Sequence, residues 1–195
     1  KKQMKNIDER KIYAKMNGAV GNYNAHNFVL PNIKWDQETK KFLKKIGLYQ
    51  NEYTTQIENH DWLAESLNEI IIISGILLDF SKDIWIYIML DYIKQKNISS
   101  EVGSSTMPHK VNPINFENAE GNLEILIGIC QTVSKKIISS RLQRDLSDST
   151  VLRNIGLIFA YYHISVTSIQ KGMRKIDLNL DKINYDIDSS WEILA

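Results

Sequence analysis

The sequence predicts an all-α fold, an elongated bundle of long helices that assembles into a multi-subunit helical core. Three observations carry this prediction. Between residues 61 and 96, Leu63, Leu67, Ile70, Ser74, Leu77, Ser81, Ile84 and Ile88 recur in alternating steps of four and three, a heptad-like seam. Ile71, Leu78, Trp85 and Tyr92 form a second stripe beside it, so this helix has neighbours on more than one side. No alternating apolar and polar run of strand length occurs anywhere in the chain. A helix over 61–96 would be roughly 50 Å long at 1.5 Å per residue. A globule of this size has a radius of gyration of about 16 Å, so the helix predicts association between copies.

Residues 1–16 are polar with sparse apolar positions and read as the tail of a helix. Asn17-Gly18-Ala19-Val20-Gly21-Asn22-Tyr23 follows. Two readings of its glycines stay open: a helix stop and turn, or a backbone cradle for an anion. Pro31 to Lys34 is loop. Asp36 is placed to cap a short helix through Lys45, which Gly47 ends. Tyr53-Thr54-Thr55-Gln56-Ile57-Glu58 is a polar connector into the long helix. After residues 103–113, positions 116–139 form a second helix rich in Leu and Ile. Residues 141–147 are a polar turn. Ser147 or Asp148 caps a third long helix to about Lys175, and Asn179 or Asp181 opens a last one through Trp191.

Composition narrows the function classes. With 195 residues, 43% hydrophobic and 24% charged, the chain can bury a sizeable core in one domain. A net charge of +1 excludes a dominant basic field, so neither nucleic acid nor a membrane surface is an expected partner. The apolar tract 70–80 contains Asp79 and is followed by Lys82 and Asp83, short of the ~20 uncharged residues a bilayer span needs. The single cysteine, Cys130, makes no internal disulfide and fits a reducing compartment, the cytoplasm. Residues 1–10 have no apolar segment of a secretory signal. The first residue is Lys1, and both ends read as cut from a longer protein. His26, His60, His109 and His163 lack metal-ligand spacing, so no metal and no cofactor is expected.

Chemistry concentrates in Gly103-Ser104-Ser105-Thr106-Met107-Pro108-His109-Lys110-Val111-Asn112-Pro113. Gly103 allows unusual backbone angles, and each proline pushes its predecessor out of the α region. One reading is a solvated loop whose serines cap the next helix. The other is proton abstraction. A serine hydroxyl becomes a useful base if a cation and backbone amides stabilise its alkoxide. Lys110 and Asn112 are donors for the charge that builds on a carboxylate when its α-proton leaves. A second cluster is Arg144-Asp145-Leu146-Ser147-Asp148-Ser149-Thr150-Val151-Leu152-Arg153. If a helix starts near Asp148, its first-turn amides are free, and Ser149 and Arg153 share a face. With Arg144 they would form a phosphate site. The competing reading is a capped helix with an ordinary Arg–Asp surface pair.

The first string resembles the signature loop of the fumarase/aspartase superfamily, Gly-Ser-Ser-x-Met-Pro-x-Lys-x-Asn, and meets every fixed position of it. The resemblance implies a lyase that releases fumarate from a succinyl group. Ser104 would be the catalytic base, Lys110 and Asn112 would hold the departing fumarate, and Ser105 would donate to the same carboxylate. The second string is similar to the nucleotide-phosphate region of the adenylosuccinate lyase family. Lys15-x-Asn17-Gly18-Ala19-Val20-Gly21-Asn22-Tyr23-Asn24-Ala25-His26 and the 53–58 connector resemble its bacterial-type branch. That resemblance implies elimination of fumarate from adenylosuccinate to give AMP, and from the succinyl-carboxamide ribotide of purine synthesis. It implies substrate contacts from Gln56, Ser105, Lys110, Val111, Asn112, Asn118, Arg144, Ser149, Thr150, Val151, Leu152 and Arg153. It also implies a nucleotide substrate and a homotetramer with active sites shared between subunits. The family's acid is a histidine in a segment N-terminal to these residues, and the family has a C-terminal helical domain. Residues 1–195 are therefore expected to be a central helical-bundle fragment lacking both. The rivals are another superfamily lyase, acting on argininosuccinate, aspartate or malate, and a non-catalytic helical oligomerisation module.

Overall fold

The computed structural model describes residues 1–96 and 112–190. Eight helices appear among them: α1 Lys2–Asp8, α2 Asn24–Val29, α3 Trp35–Lys45, α4 Asp61–Met89, α5 Ile114–Ile137, α6 Ser147–Leu152, α7 Ile155–Met173 and α8 Leu180–Ser189. The strands are only two or three residues long. β1 Tyr13–Ala14 pairs in parallel with β2 Tyr49–Gln50, and β3 Ile93–Gln95 pairs antiparallel with β4 Ile176–Leu178. The expected all-α class therefore holds, with two short ladders that carry no readable period.

The chain divides into two compact units. The first comprises Lys1–Ile73 and Ile127–Ile158. Its buried core includes Leu43, Ala64, Leu67, Cys130, Val133, Ile137 and Ile158. The second comprises Ser74–Leu126 and Phe159–Ala195, with Ile84, Ile93, Phe116, Ala119, Leu123, Leu126 and Ile169 buried. Every position of the α4 seam is buried or half-buried, as its spacing predicts. Its serines are fully covered, and Ser81 Oγ donates to the Leu77 carbonyl at 2.9 Å. That bond satisfies the hydroxyl inside an apolar stripe.

Several boundaries differ from expectation, each for a physical reason. The first helix stops at Asp8 rather than near residue 16. Beyond it, Arg10 forms an ion pair with Glu65, and Tyr13–Ala14 joins the β1–β2 ladder. Helix α2 was not expected from the sequence; it follows Tyr23, which is left-handed at φ +56°. Helix α3 begins at Trp35 with Lys34 as its cap, so Asp36 lies in the first turn, where a carboxylate favours the helix dipole. Gly47 ends α3 as expected, at φ +79°.

Helix α4 ends at Met89, not near Lys96, giving a length of roughly 43 Å. Asp91 turns left-handed at φ +61°. Asp91 N–H bonds the Ile88 carbonyl and Tyr92 N–H the Tyr87 carbonyl, the paired closure of a Schellman motif. Asn179 Nδ2 locks this turn by donating to the Asp91 carbonyl at 2.8 Å and to Asp91 Oδ2 at 2.9 Å. Asn179 stands at the α8 cap position as expected, but it makes no side-chain capping bond there.

The expected third long helix is split. Asn154 Nδ2 bonds the Thr150 and Val151 carbonyls at 3.2 Å, closing α6, while the Asn154 carbonyl accepts from Leu157 and Ile158 to open α7. Gly172, near the end of α7, lies against the α5 start. A Cβ there would sit 2.7 Å from the buried Phe116 ring. Gly172→Ala is expected to cost about 1–3 kcal/mol through overpacking, read as a lower urea midpoint at unchanged slope.

Candidate functional site

In the first unit, the connector at 53–58 is held by the turn at 15–21. Lys15 Nζ donates to the Gly18, Thr55 and Gln56 carbonyls at 2.6, 2.9 and 2.8 Å. Burial pushes the Lys15 ammonium down from its ordinary value. The buried Asn17 donates from Nδ2 to the Gly21 carbonyl and accepts from Thr54 Oγ1, both at 3.0 Å. Gly21 has φ +81°, and a Cβ on it would meet the Thr54 carbonyl oxygen at 2.1 Å. Gly21 therefore serves a close backbone approach to a carbonyl oxygen, which disfavours the anion-cradle reading, while Gly18 turns left-handed in open space. Gln56 N–H in turn donates to the Gln143 carbonyl at 3.3 Å, joining the connector to the residue before Arg144. The Gln56 side chain is exposed and lines a cleft of about 530 Å³ with Lys15, His26, Glu58 and His60.

The tip at 140–153 differs from the sequence picture. Its first-turn amides are not free. Ser147 N–H donates to Asp145 Oδ1 at 3.0 Å and Ser149 N–H to Asp148 Oδ1 at 2.5 Å. Asp148 is buried, 5% exposed, and pairs with Arg144 Nη2 at 3.7 Å. The same Nη2 donates to Ser149 Oγ at 3.1 Å, and Ser149 Oγ donates on to Asp148 Oδ1 at 3.2 Å. Arg144 Nε is buried and has no hydrogen-bond partner among the described residues. Asp145 is held well below the usual carboxylate range, first by the Ser147 amide and then by the Arg141 and Lys136 cations at 3.0 and 3.4 Å. Three cations (Lys136, Arg141 and Arg144) thus contact two carboxylates, Asp145 and Asp148, on one short stretch. Arg153 is exposed just past α6, Ser149 is half-buried, and Thr150, Val151 and Leu152 complete the α6 turn.

Asn112 and Asn118 belong to the second unit. The Asn112 carbonyl accepts from Ile114 N–H at 2.8 Å at the entry to α5. Asn118 Oδ1 accepts from Ser168 Oγ at 2.8 Å, fixing its rotamer against α7. Ser104, Ser105, Lys110 and Val111 lie outside the described residues.

Three groups went unremarked from sequence. Lys15 and Glu58 sit inside quoted motifs; two Lys15 acceptors, the Thr55 and Gln56 carbonyls, lie 40 and 41 residues away, while Glu58 accepts from Asn51 Nδ2, His60 N–H and Trp62 Nε1 nearby in sequence. Asp148 was read only as a cap. His26 and His60 lack metal-ligand spacing, and no site role was expected of them. His26 does lie edge-on to Tyr23 and Trp35, at 5.5 and 4.9 Å between ring centroids, while both histidines line the Gln56 cleft.

A family model described as "Lyase" matches residues 1–130, and one described as "Adenylosuccinate lyase C-terminal" matches residues 140–195. The adenylosuccinate lyase of Legionella pneumophila (strain Corby) is 50% identical over 195 residues, covering 100% of this chain and 43% of that protein. Its counterpart in Escherichia coli (strain K12) is 47% identical over 194 residues, covering 100% and 42%. That of Haemophilus influenzae is 45% identical over 195 residues, covering 100% and 43%. The chain therefore spans about 43% of the length of these curated relatives.

The lowered Asp145 carboxyl makes stability depend on acid. A carboxyl held low in the folded state contributes stability above its unfolded value, near 4, and loses it as pH falls through the folded value. Asp145→Asn is expected to lower the unfolding midpoint at neutral pH. The gap from the parent should begin to close below about pH 4 in a pH series of urea melts.

Proposed function

This chain belongs to the lyase family, and from that premise we propose that the protein containing it eliminates fumarate from adenylosuccinate, leaving AMP. The same reading extends to the succinyl-carboxamide ribotide. The relatives quoted above all carry the name adenylosuccinate lyase. One observation on the chain itself supports a nucleotide substrate over the other superfamily substrates. Arg144 Nε is a buried donor without a described partner, beside Ser149 and within an excess of cations. A buried donor left unmade costs about 1–3 kcal/mol, and a phosphate oxygen is the acceptor that would remove this cost. Arg153, exposed at the end of α6, supplies a second guanidinium for the same group.

In this mechanism the Ser104 alkoxide takes the proton from the carbon beside a substrate carboxylate. The carbon–nitrogen bond breaks, its electron pair goes to nitrogen, and a general acid protonates that nitrogen. Lys110 and Asn112 hold the carboxylate whose oxygens carry the developing charge, with Ser105 donating to it. Val111 lines the substrate between them. Gln56 and Asn118 contact the succinyl part, and Arg144, Ser149, Thr150, Val151, Leu152 and Arg153 bind the phosphate end. The acid is a histidine outside these 195 residues, in keeping with a central helical-bundle fragment.

We also assign the protein to a homotetramer with shared sites. Ile76, Ile125 and Phe159 are 58%, 50% and 59% exposed, more apolar surface than a lone helical unit favours. The single, buried, unbridged Cys130 fits the cytoplasm. Among the described residues no helix is long and apolar enough to cross a membrane.

In the complete protein, Arg153→Ala should weaken AMP binding by about 10–100-fold, the range of a charged hydrogen bond, with fumarate binding changed little. Equal effects on both ligands would favour a superfamily lyase whose substrate lacks phosphate. Ser104→Ala should retain substrate binding while turnover falls by about 10²–10⁴. Unchanged turnover would remove the serine-base mechanism.

A further inference from the structure

We propose that Lys15 is a positioning residue for substrate binding, acting through the Gln56 backbone. The inference rests on the reading that Gln56 contacts substrate. An ammonium has three hydrogens, and all three of Lys15's are engaged by the carbonyls of Gly18, Thr55 and Gln56. It therefore has no donor left for a ligand, and its influence passes through the chain it holds.

The geometry it holds is unusual. The carbonyls of Thr55 and Gln56 are consecutive, yet both point to one nitrogen. In a strand neighbouring carbonyls point to opposite sides. Two parallel carbonyl dipoles side by side repel each other unless a cation sits between their oxygens. Lys15 is that cation. Around it, Gly21 brings its backbone within van der Waals range of the Thr54 carbonyl, and Asn17 ties Thr54 Oγ1 to the Gly21 carbonyl. On the other side of the same residue, Gln56 N–H donates to Gln143, next to Arg144. Gln56 thus has both its N–H and its C=O fixed, while its side chain stays exposed on the rim of the cleft. A pinned backbone beneath a free amide is how a residue is aimed at a ligand.

A double-mutant cycle in the complete protein tests this, with Gln56→Ala, Lys15→Met and the pair compared by steady-state kinetics on adenylosuccinate. Lys15→Met is expected to raise KM about tenfold with kcat within about twofold, the pattern of lost ground-state binding. In the Gln56→Ala background the same change should alter KM by no more than about twofold, because residues acting as one unit are not additive. Fully multiplicative effects, or a normal KM in Lys15→Met, would overturn the inference while leaving the role of Gln56 intact. A normal KM in Gln56→Ala would instead overturn the reading on which it rests, and the inference with it. If Lys15→Met does not fold, Lys15→Arg takes its place in the cycle under the same criteria. A planar guanidinium cannot direct three donors from one nitrogen to three carbonyls. Amide exchange in the 53–58 segment should rise in either variant, and unchanged protection there would count against the proposal.

Discussion

A backbone polar group that leaves a helix must find another partner, and in this chain side chains supply it where the helices break. Lys15 collects three carbonyls from two loops. Asn154 closes α6 and Asn179 locks the end of α4. Asp145 and Asp148 take the first amides of α6. Buried backbone groups without partners are rare in folded proteins because each is costly. The breaks are also where the candidate chemistry lies. The scaffold and the candidate site therefore share one requirement, that side chains satisfy the interrupted backbone.

The tip before α7 shows how that requirement shapes electrostatics. Read as a string, it offers free amides and two arginines to an anion. Folded, it already contains an anion, the buried Asp148 carboxylate, in contact with Arg144 and Ser149. Three cations, Lys136, Arg141 and Arg144, contact the two carboxylates, and Arg153 is exposed at the end of α6. A phosphate bound there, as proposed, would have to share or exchange Arg144 with Asp148.

Much of the fold was legible because burial has a period. The α4 seam, the apolar run of α5 and the Gly47 stop follow from side-chain spacing and one backbone preference. The misplaced boundaries depend on partners far away in sequence. Asp91 ends α4 in a turn that Asn179 bonds from 88 residues on. Asn154 divides two helices by bonding choices that its residue type leaves open. The ladders β1–β2 and β3–β4 are too short to show alternation. The candidate site was read from its motifs rather than from geometry. Arg144, Ser149 and Gln56 stand in recognisable strings, while the clamp on Gln56 depends on a lysine 41 residues earlier. A lysine beside a glycine turn has no feature that names its acceptors.

Helix α6 has only six residues. A helix that short has too few turns to outweigh the cost of nucleation, so its order is borrowed from Asp145, Asp148 and Asn154 at its two ends. Reciprocity follows. An anion that gripped Arg144 and Ser149 would raise the melting cost of this one turn, and anything that loosened the turn would weaken that grip by the same factor. The segment is therefore a thermodynamic lever, whose sensitivity comes from being barely stable by itself.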